Sequence, residues 1–145
     1  MIPTVDEILG PGGLIASHLG GYEQRDEQLA MAHAVMAAFD AREHLMVEAG
    51  TGVGKSFAYL APAILRAVRD HQRVVVSTYT IALQEQLIRK DLPLLAEAIP
   101  LKFSAVLGKG RGNYICFRRL GLAIKSRSRL LTAQRQLQQL ENLAR

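Results

Sequence analysis

The chain has 145 residues, of which 49% are hydrophobic, and its mean hydropathy is +0.09. This length and composition suit one folded domain and exclude disorder throughout the chain. The sequence has no apolar stretch long enough to span a membrane and no basic secretory leader, so we expect a cytoplasmic protein without a membrane partner. Its one cysteine, Cys116, excludes an internal disulfide and fits a reducing compartment.

The positive charge is concentrated in the last third of the chain. The formal net charge is +5, but residues 1–101 contain 8 basic and 12 acidic side chains, whereas residues 102–145 contain 10 and 1. A basic segment of this kind indicates a polyanionic partner, most commonly nucleic acid. A solvated helix face explains the same charges equally well at this stage.

The first predicted elements are an arm and a helix. Residues 1–21 contain the run Gly-Pro-Gly-Gly at 10–13, which predicts an irregular N-terminal arm. From residue 26 to about residue 39, apolar side chains recur at helical spacing. Asp26 and Glu27 suit the positive end of the helix dipole, so we predict a helix over this range.

Strands and helices are predicted to alternate after that helix. We predict a strand at 44–48, a helix at 55–69 with a kink at Pro62, and a buried strand at the β-branched run 73–78. A helix at 81–91 is predicted to end at Pro93, followed by a third strand at 102–107, a loop at 108–113 and a final helix at 130–143. This alternation predicts an α/β fold with a doubly wound parallel sheet.

A glycine-rich loop lies between the first predicted strand and the helix that follows it. The pattern is that of a phosphate-binding loop, in which glycines let the backbone wrap a phosphate chain at a helix N-terminus. The predicted nucleotide-binding residues of the loop are Ala49, Gly50, Thr51, Gly52, Val53, Gly54, Lys55 and Ser56. Lys55 is predicted to contact the β and γ phosphates, and the Ser56 hydroxyl is predicted to ligate Mg²⁺. These two residues are the candidate catalytic residues for a nucleoside triphosphate.

Three further segments resemble motifs of one helicase family. Together with the loop, residues 22–28, 77–87 and 110–116 resemble superfamily two DNA helicases, specifically the iron–sulfur branch that includes the XPD and DinG proteins. The resemblance implies a RecA-like P-loop NTPase domain with a parallel sheet, incomplete in this chain, plus a C-terminal helical segment. The implied domains are an arm at 1–21, the first part of the ATP-binding domain at 22–108, and the start of a basic iron–sulfur insertion at 109–145.

The resemblance also implies roles for individual side chains. Gln28 would recognise the adenine edge of ATP, which a carboxamide can do because it offers a donor and an acceptor side by side. Tyr22 and Arg25 would lie near the base. The residues implied to contact single-stranded DNA, the expected partner, are Thr78, Thr80 and Gln84.

Cys116 matches the first of four cluster thiolates in this family. Because a four-iron cluster needs four thiolates and this chain has one cysteine, a [4Fe-4S] cluster could form only in a longer parent protein. The sequence also has no Asp-Glu-x-His box for magnesium and water. We therefore expect a monomeric N-terminal piece of a helicase that binds ATP and Mg²⁺ without hydrolysing ATP alone. The resemblance implies that the helicase has 5′-to-3′ polarity and acts in replication or repair.

Two other hypotheses remain open from the sequence. A different P-loop enzyme, such as a kinase, would use the same loop without needing Gln28 or the basic tail. A nonenzymatic single-stranded nucleic-acid-binding module would depend on residues 102–145 instead. Competition between ATP and GTP, and the salt dependence of nucleic-acid binding, distinguish these hypotheses.

Overall fold

The computed structural model describes residues 2–126 and 133–143 and separates two compact units, residues 1–107 and 108–145. The helices of the first unit are α1 (Val5–Leu9), α2 (Leu14–His18), α3 (Asp26–Ala41), α4 (Lys55–Arg69), α5 (Ile81–Gln86) and α6 (Leu92–Ala98). A π-helical turn, Leu87–Asp91, joins α5 to α6. The second unit contains a 3₁₀ turn at Arg111–Asn113 and the helices α7 (Phe117–Lys125) and α8 (Gln134–Leu143).

Helices α3 and α4 form the main packed pair of the first unit. Alanines on the two helices, Ala32, Ala58 and Ala61, are completely buried, and their small side chains let the helix backbones approach closely. The predicted helices at 26–39 and 55–69 are therefore confirmed. Helix α4 continues through Pro62, which lies in the core, while the kink predicted there stays a prediction.

The N-terminal segment is helical, and the prediction of an irregular arm was wrong. Thr4 caps α1, because its hydroxyl accepts a hydrogen bond from the Glu7 N–H at 3.2 Å while its own N–H donates to the Glu7 carboxylate at 2.7 Å. Three apolar side chains anchor α1 and α2 in the core: Ile8, Leu9 and Ile15 are at most 1% exposed. The four-residue capping pattern from Thr4 to Glu7 was the sequence signal for this helix.

The predicted α/β fold with a RecA-like parallel sheet is wrong, since the described residues contain no strand. The three predicted strands, 44–48, 73–78 and 102–107, have no regular secondary structure. Each exposes a large apolar side chain: Met46 is 98%, Val75 89% and Val106 92% exposed. Runs of β-branched residues favour a strand only where a neighbouring backbone pairs with them, and these segments lack such pairing.

The helix that begins at Ile81 does not end at Pro93 as predicted. The π-helical turn intervenes, in which the Leu92 N–H donates to the Leu87 carbonyl five residues earlier. Pro93 is then the second residue of α6, within a segment that stays helical from the π-helical turn onward. The π-helical turn also buries Asp91, whose carboxylate accepts a hydrogen bond from the Gln86 side chain at 3.0 Å.

The second unit was predicted to contain a loop and one helix, and the structure adds the helix α7. Helix α7 was not predicted, and it begins immediately after Cys116. Helix α8 confirms the predicted C-terminal helix from residue 134 onward, and residues 130–132 of that prediction lie outside the described residues. Across the part of the chain that the structure describes, no helix has the length and apolar character needed to cross a bilayer.

Candidate nucleotide-binding site

The glycine-rich loop enters α4 through two left-handed backbone positions. Gly52 has φ +86° and Gly54 has φ +81°, conformations that glycine adopts without the penalty paid by other residues. Gly54 is the N-cap of α4, and its carbonyl accepts the first helical hydrogen bond, from Ala58 at 3.3 Å. The N–H groups of the first turn have no acceptor inside the helix, so this end of the fifteen-residue helix suits an anion.

The Lys55 ammonium is hydrogen-bonded to the backbone at the start of the same loop. It donates hydrogen bonds to the carbonyls of Ala49 at 2.9 Å and of Gly50 at 2.5 Å, and the residue is exposed. An ammonium carries three N–H donors, so it can donate one more hydrogen bond beside those to these two carbonyls. The structure thus places a solvent-accessible cation at the loop, where the sequence predicted a phosphate contact.

Ser56 follows Lys55 as the second residue of α4 and is half-buried. Thr51 is exposed at the turn of the loop, whereas Val53 is half-buried. The predicted loop residues lead directly into α4, of which Lys55 and Ser56 are the first two residues, and the strand predicted before them at 44–48 is absent.

Gln28 lies against the loop although it is 26 residues away in sequence. Its side-chain Nε2 donates to the Gly54 carbonyl at 2.9 Å, and its Oε1 accepts from the Tyr22 hydroxyl at 2.5 Å. Gln28 is 3% exposed. Burial raises the pKa of Tyr22, against a smaller opposite effect of Arg25, so the phenol is protonated and a donor at neutral pH.

Arg25 completes the group of residues around the loop. Its guanidinium lies 3.7 Å from the position that a Cβ at Gly52 would occupy, and 3.8 Å from the carboxylate of Glu23. The structure therefore brings Tyr22, Arg25 and Gln28 to the phosphate loop. The Gln28 contact joins the start of α3 to the start of α4, and Arg25 adds a cation near Gly52 of the loop.

The predicted DNA-contact residues lie at the start of α5. Thr80 caps this helix, with its hydroxyl oxygen accepting from the Leu83 N–H at 3.3 Å. The Thr78 hydroxyl donates to the Thr80 carbonyl at 3.4 Å, and Gln84 is half-buried within α5. A capping hydroxyl still has its own hydrogen to donate, so Thr80 can serve a phosphate oxygen without losing its structural role.

Cys116 is exposed and is the N-cap of α7 in the second unit. In the described ranges, 2–126 and 133–143, no group of three or more His, Cys, Asp or Glu side chains could hold a metal ion. The structure thus presents Cys116 as a single accessible thiol.

Comparison with known proteins identifies the family. The family model for the DEAD/DEAH box helicase matches residues 25–143, which is most of the chain. The chain belongs to the DEAD/DEAH box helicase family. This assignment confirms the resemblance to helicases, and the start of the match at residue 25 includes Gln28 and the whole loop.

Similar proteins include helicases named DinG and YoaA. The chain is 49% identical over 121 residues to an ATP-dependent helicase DinG of Mycobacterium tuberculosis, covering 81% of this chain and 18% of the relative. It is 44% identical over 110 residues to the ATP-dependent DNA helicase YoaA of Escherichia coli, covering 76% and 17%. A Bacillus subtilis relative named 3′-5′ exonuclease DinG is 43% identical over 96 residues, covering 66% and 10%. The chain therefore spans less than a fifth of the length of these relatives.

Proposed function

We propose that this chain carries the ATP-binding part of an ATP-dependent DNA helicase. The observation that carries the proposal is the loop itself, in which Gly52 and Gly54 turn the backbone into α4 while Lys55 bridges the loop mouth. Membership of the DEAD/DEAH box helicase family and the names of two relatives support ATP as the nucleotide and DNA as the substrate.

Different loop residues are assigned to the phosphates and to the magnesium ion of MgATP. The backbone of 49–54 and the first N–H groups of α4 bind the phosphate oxygens, and Lys55 neutralises charge on the β and γ phosphates. The Ser56 hydroxyl would ligate Mg²⁺, and the ion would offset the negative charge of the phosphates. Tyr22 and Arg25 would lie near the base, as the family resemblance implies.

The strand contacts are assigned to the start of α5 and to the basic C-terminal part of the chain. Thr78, Thr80 and Gln84 offer neutral donors to phosphate oxygens of single-stranded DNA. Residues 102–145 contain 10 basic side chains and 1 acidic one. These basic side chains attract the DNA phosphates whatever the base sequence of the strand.

The parent protein would contain a complete ATP-binding domain and a complete iron–sulfur insertion, and this chain would supply only the first part of each. Residues 22–108 would belong to its ATP-binding domain, and 109–145 would begin a basic insertion in which Cys116 is the first ligand of a [4Fe-4S] cluster. The parent would act in the cytoplasm as a monomer with 5′-to-3′ polarity.

Calorimetric titration with MgATP tests the nucleotide proposal. The wild-type chain is expected to bind weakly, and Lys55→Ala is expected to weaken binding at least about tenfold because the phosphate charge loses its cation partner. Lys90→Ala removes an exposed lysine of the π-helical turn and serves as the matched control. Equal affinities of wild type and Lys55→Ala would contradict the proposal, and ATP hydrolysis by this chain at a helicase-like rate would contradict its predicted lack of turnover.

The activity of the parent protein is tested on forked and tailed duplexes. A protein that contains this chain is expected to unwind a duplex with a 5′ single-stranded tail in an ATP-dependent reaction. Preference for a 3′ tail would contradict the polarity. Degradation from the 3′ end without unwinding would instead assign the activity in the name of the Bacillus relative.

A further inference from the structure

We propose that Asp91, buried at the π-helical turn, is a positioning residue that fixes the rotational register of α5 and with it the placement of Thr80 and Gln84. The inference rests on the proposed function, in which these two residues contact single-stranded DNA. It assigns a role to a buried carboxylate that the proposed nucleotide and strand contacts leave unused.

Asp91 is an acidic residue inside the protein, and its hydrogen bond comes from a neighbouring side chain. It is 3% exposed, and its Oδ2 accepts from the Gln86 side-chain amide at 3.0 Å, while Gln86 itself is exposed. Burial of a carboxylate costs free energy that an apolar side chain of the same shape does not cost. The hydrogen bond to Gln86 is therefore the feature that accounts for an acid at this position.

The hydrogen bond between Gln86 and Asp91 has the spacing of the π-helical turn. The two residues are five apart in sequence, as are the Leu92 N–H and the Leu87 carbonyl that it donates to. In an α-helix, side chains meet at spacings of three and four residues, so a contact across five residues needs the wider π-helical turn. Because π-helical turns are rare and short insertions in α-helices, the side-chain bond stabilises the less favourable form.

The two helices that the π-helical turn joins differ in how firmly they are buried. Helix α6 buries Leu95 and Ala98, at 0% and 4% exposure, whereas none of the six residues of α5 is buried. If the π-helical turn relaxed to an α-helical turn, α5 would rotate by about 100° and shift by about 1.5 Å, the change that one residue makes. Thr80 and Gln84 would then present their donors in a different direction.

Asp91 also lies beside the helix that follows the phosphate loop. Burial raises the pKa of the Tyr59 phenol in α4, and the negative charge of Asp91 raises this pKa further. Tyr59 comes about one helical turn after Lys55. The π-helical turn thus relates the direction of α5 to the helix on which the proposed nucleotide site lies.

Fluorescence anisotropy with a labelled oligothymidylate tests the inference on the full chain. Asp91→Leu keeps the branched shape of the side chain without an acceptor, and Asp91→Asn retains an oxygen that can accept from Gln86. Gln86→Met removes the donor and carries the test if Asp91→Leu does not fold, and Gln72→Met makes the same change at an exposed glutamine outside the helices. We expect Asp91→Leu and Gln86→Met each to weaken oligonucleotide binding about fivefold, and Asp91→Asn and Gln72→Met less than about twofold.

The expected loss has the opposite sign to a simple charge effect. Removal of a negative charge by itself strengthens binding to a polyanion, and Asp91→Leu and Asp91→Asn remove the same charge. The double variant Gln86→Met with Asp91→Leu is expected to bind the oligonucleotide no more weakly than either single variant, because both changes remove one hydrogen bond. MgATP affinity is expected to stay at the wild-type value in all of these variants.

Amide hydrogen exchange without ligands gives an independent readout. Residues 80–86 are expected to exchange faster in Asp91→Leu and Gln86→Met than in wild type, with α6 unchanged. Unchanged oligonucleotide affinity in both variants, additive losses in the double variant, or an equal loss of MgATP and oligonucleotide binding would overturn the positioning role. Failure of the wild-type chain to bind the oligonucleotide would instead count against the proposed strand contact, and the exchange rates would then decide the positioning role alone.

Discussion

Gly54 meets two structural demands at one position, which makes it the most restrictive residue of the loop. Its φ of +81° lies in the left-handed region, and a Cβ there would lie 2.0 Å from the Gln28 amide. Gly50, in the same loop, has neither restriction, since its φ is not in the left-handed region and no atom within 4 Å would meet its Cβ. The two glycines therefore form a matched pair for substitution.

Gly54→Ala is expected to destabilise the chain more than Gly50→Ala. A left-handed non-glycine residue costs about 1–2 kcal/mol, and displacement of Gln28 adds to that cost. Gly50→Ala should change the free energy of unfolding by less than about 0.5 kcal/mol, as a site without these features does. Urea denaturation of both variants measures the difference, and equal stabilities would show that the loop is not held in this conformation.

At the same scale, the sequence predicted which residues form the loop but not how Gln28 contributes to it. Glycine spacing and the Lys-Ser pair are local signals that predict a phosphate loop at these eight positions. The contacts of Gln28 with Gly54 and Tyr22 depend on how the ends of α3 and α4 pack. Nothing in the local sequence predicts that packing.

At the scale of elements, helices were predictable where their ends carry local signals. Acidic residues at the start of α3 and the turn before α4 marked their beginnings, and both helices formed as predicted. The strands were wrongly predicted because strand formation needs a non-local backbone partner that composition does not reveal. The end of α5 was misplaced for a related reason, since the π-helical turn accommodates Pro93 within a longer helical segment.

The short helices α1 and α2 belong to the core, and their contribution to stability can be measured. Ile15 in α2 is completely buried, whereas Ile2, which precedes α1, is 42% exposed. Ile15→Ala is expected to lower the free energy of unfolding by about 2–5 kcal/mol through lost burial and the cavity left behind. Ile2→Ala should cost less than about 1 kcal/mol. Similar small effects of both changes in thermal denaturation would mean that the N-terminal helices do not pack on the core.

At the scale of the whole molecule, the proposed nucleotide site and the proposed DNA-binding segment lie in parts of the sequence with opposite net charge. The phosphate loop lies in a part with more acidic than basic residues, and the excess positive charge lies in residues 102–145. Arg118 and Arg119 stand side by side and exposed in α7. These features predict that nucleotide affinity and strand affinity respond to different substitutions.

The double variant Arg118→Ala with Arg119→Ala is expected to weaken single-stranded DNA binding and leave MgATP binding unchanged. Each lost phosphate contact should reduce the slope of log affinity against log salt concentration by about 0.7. Fluorescence anisotropy with a labelled oligonucleotide, measured at several salt concentrations, gives the slope. Lys55→Ala is the reciprocal control, and an unchanged slope in the double arginine variant would exclude α7 from the strand contact.

The central claim is that the loop from Ala49 to Ser56 holds the triphosphate of ATP, and a heteronuclear NMR titration of the chain with MgATP tests it most directly. The largest amide shifts are expected at residues 50–56, with the Gly54 amide among them, and they should be smaller in Lys55→Ala at the same MgATP concentration. Shifts confined to other parts of the chain, or none at saturating MgATP, would contradict the claim.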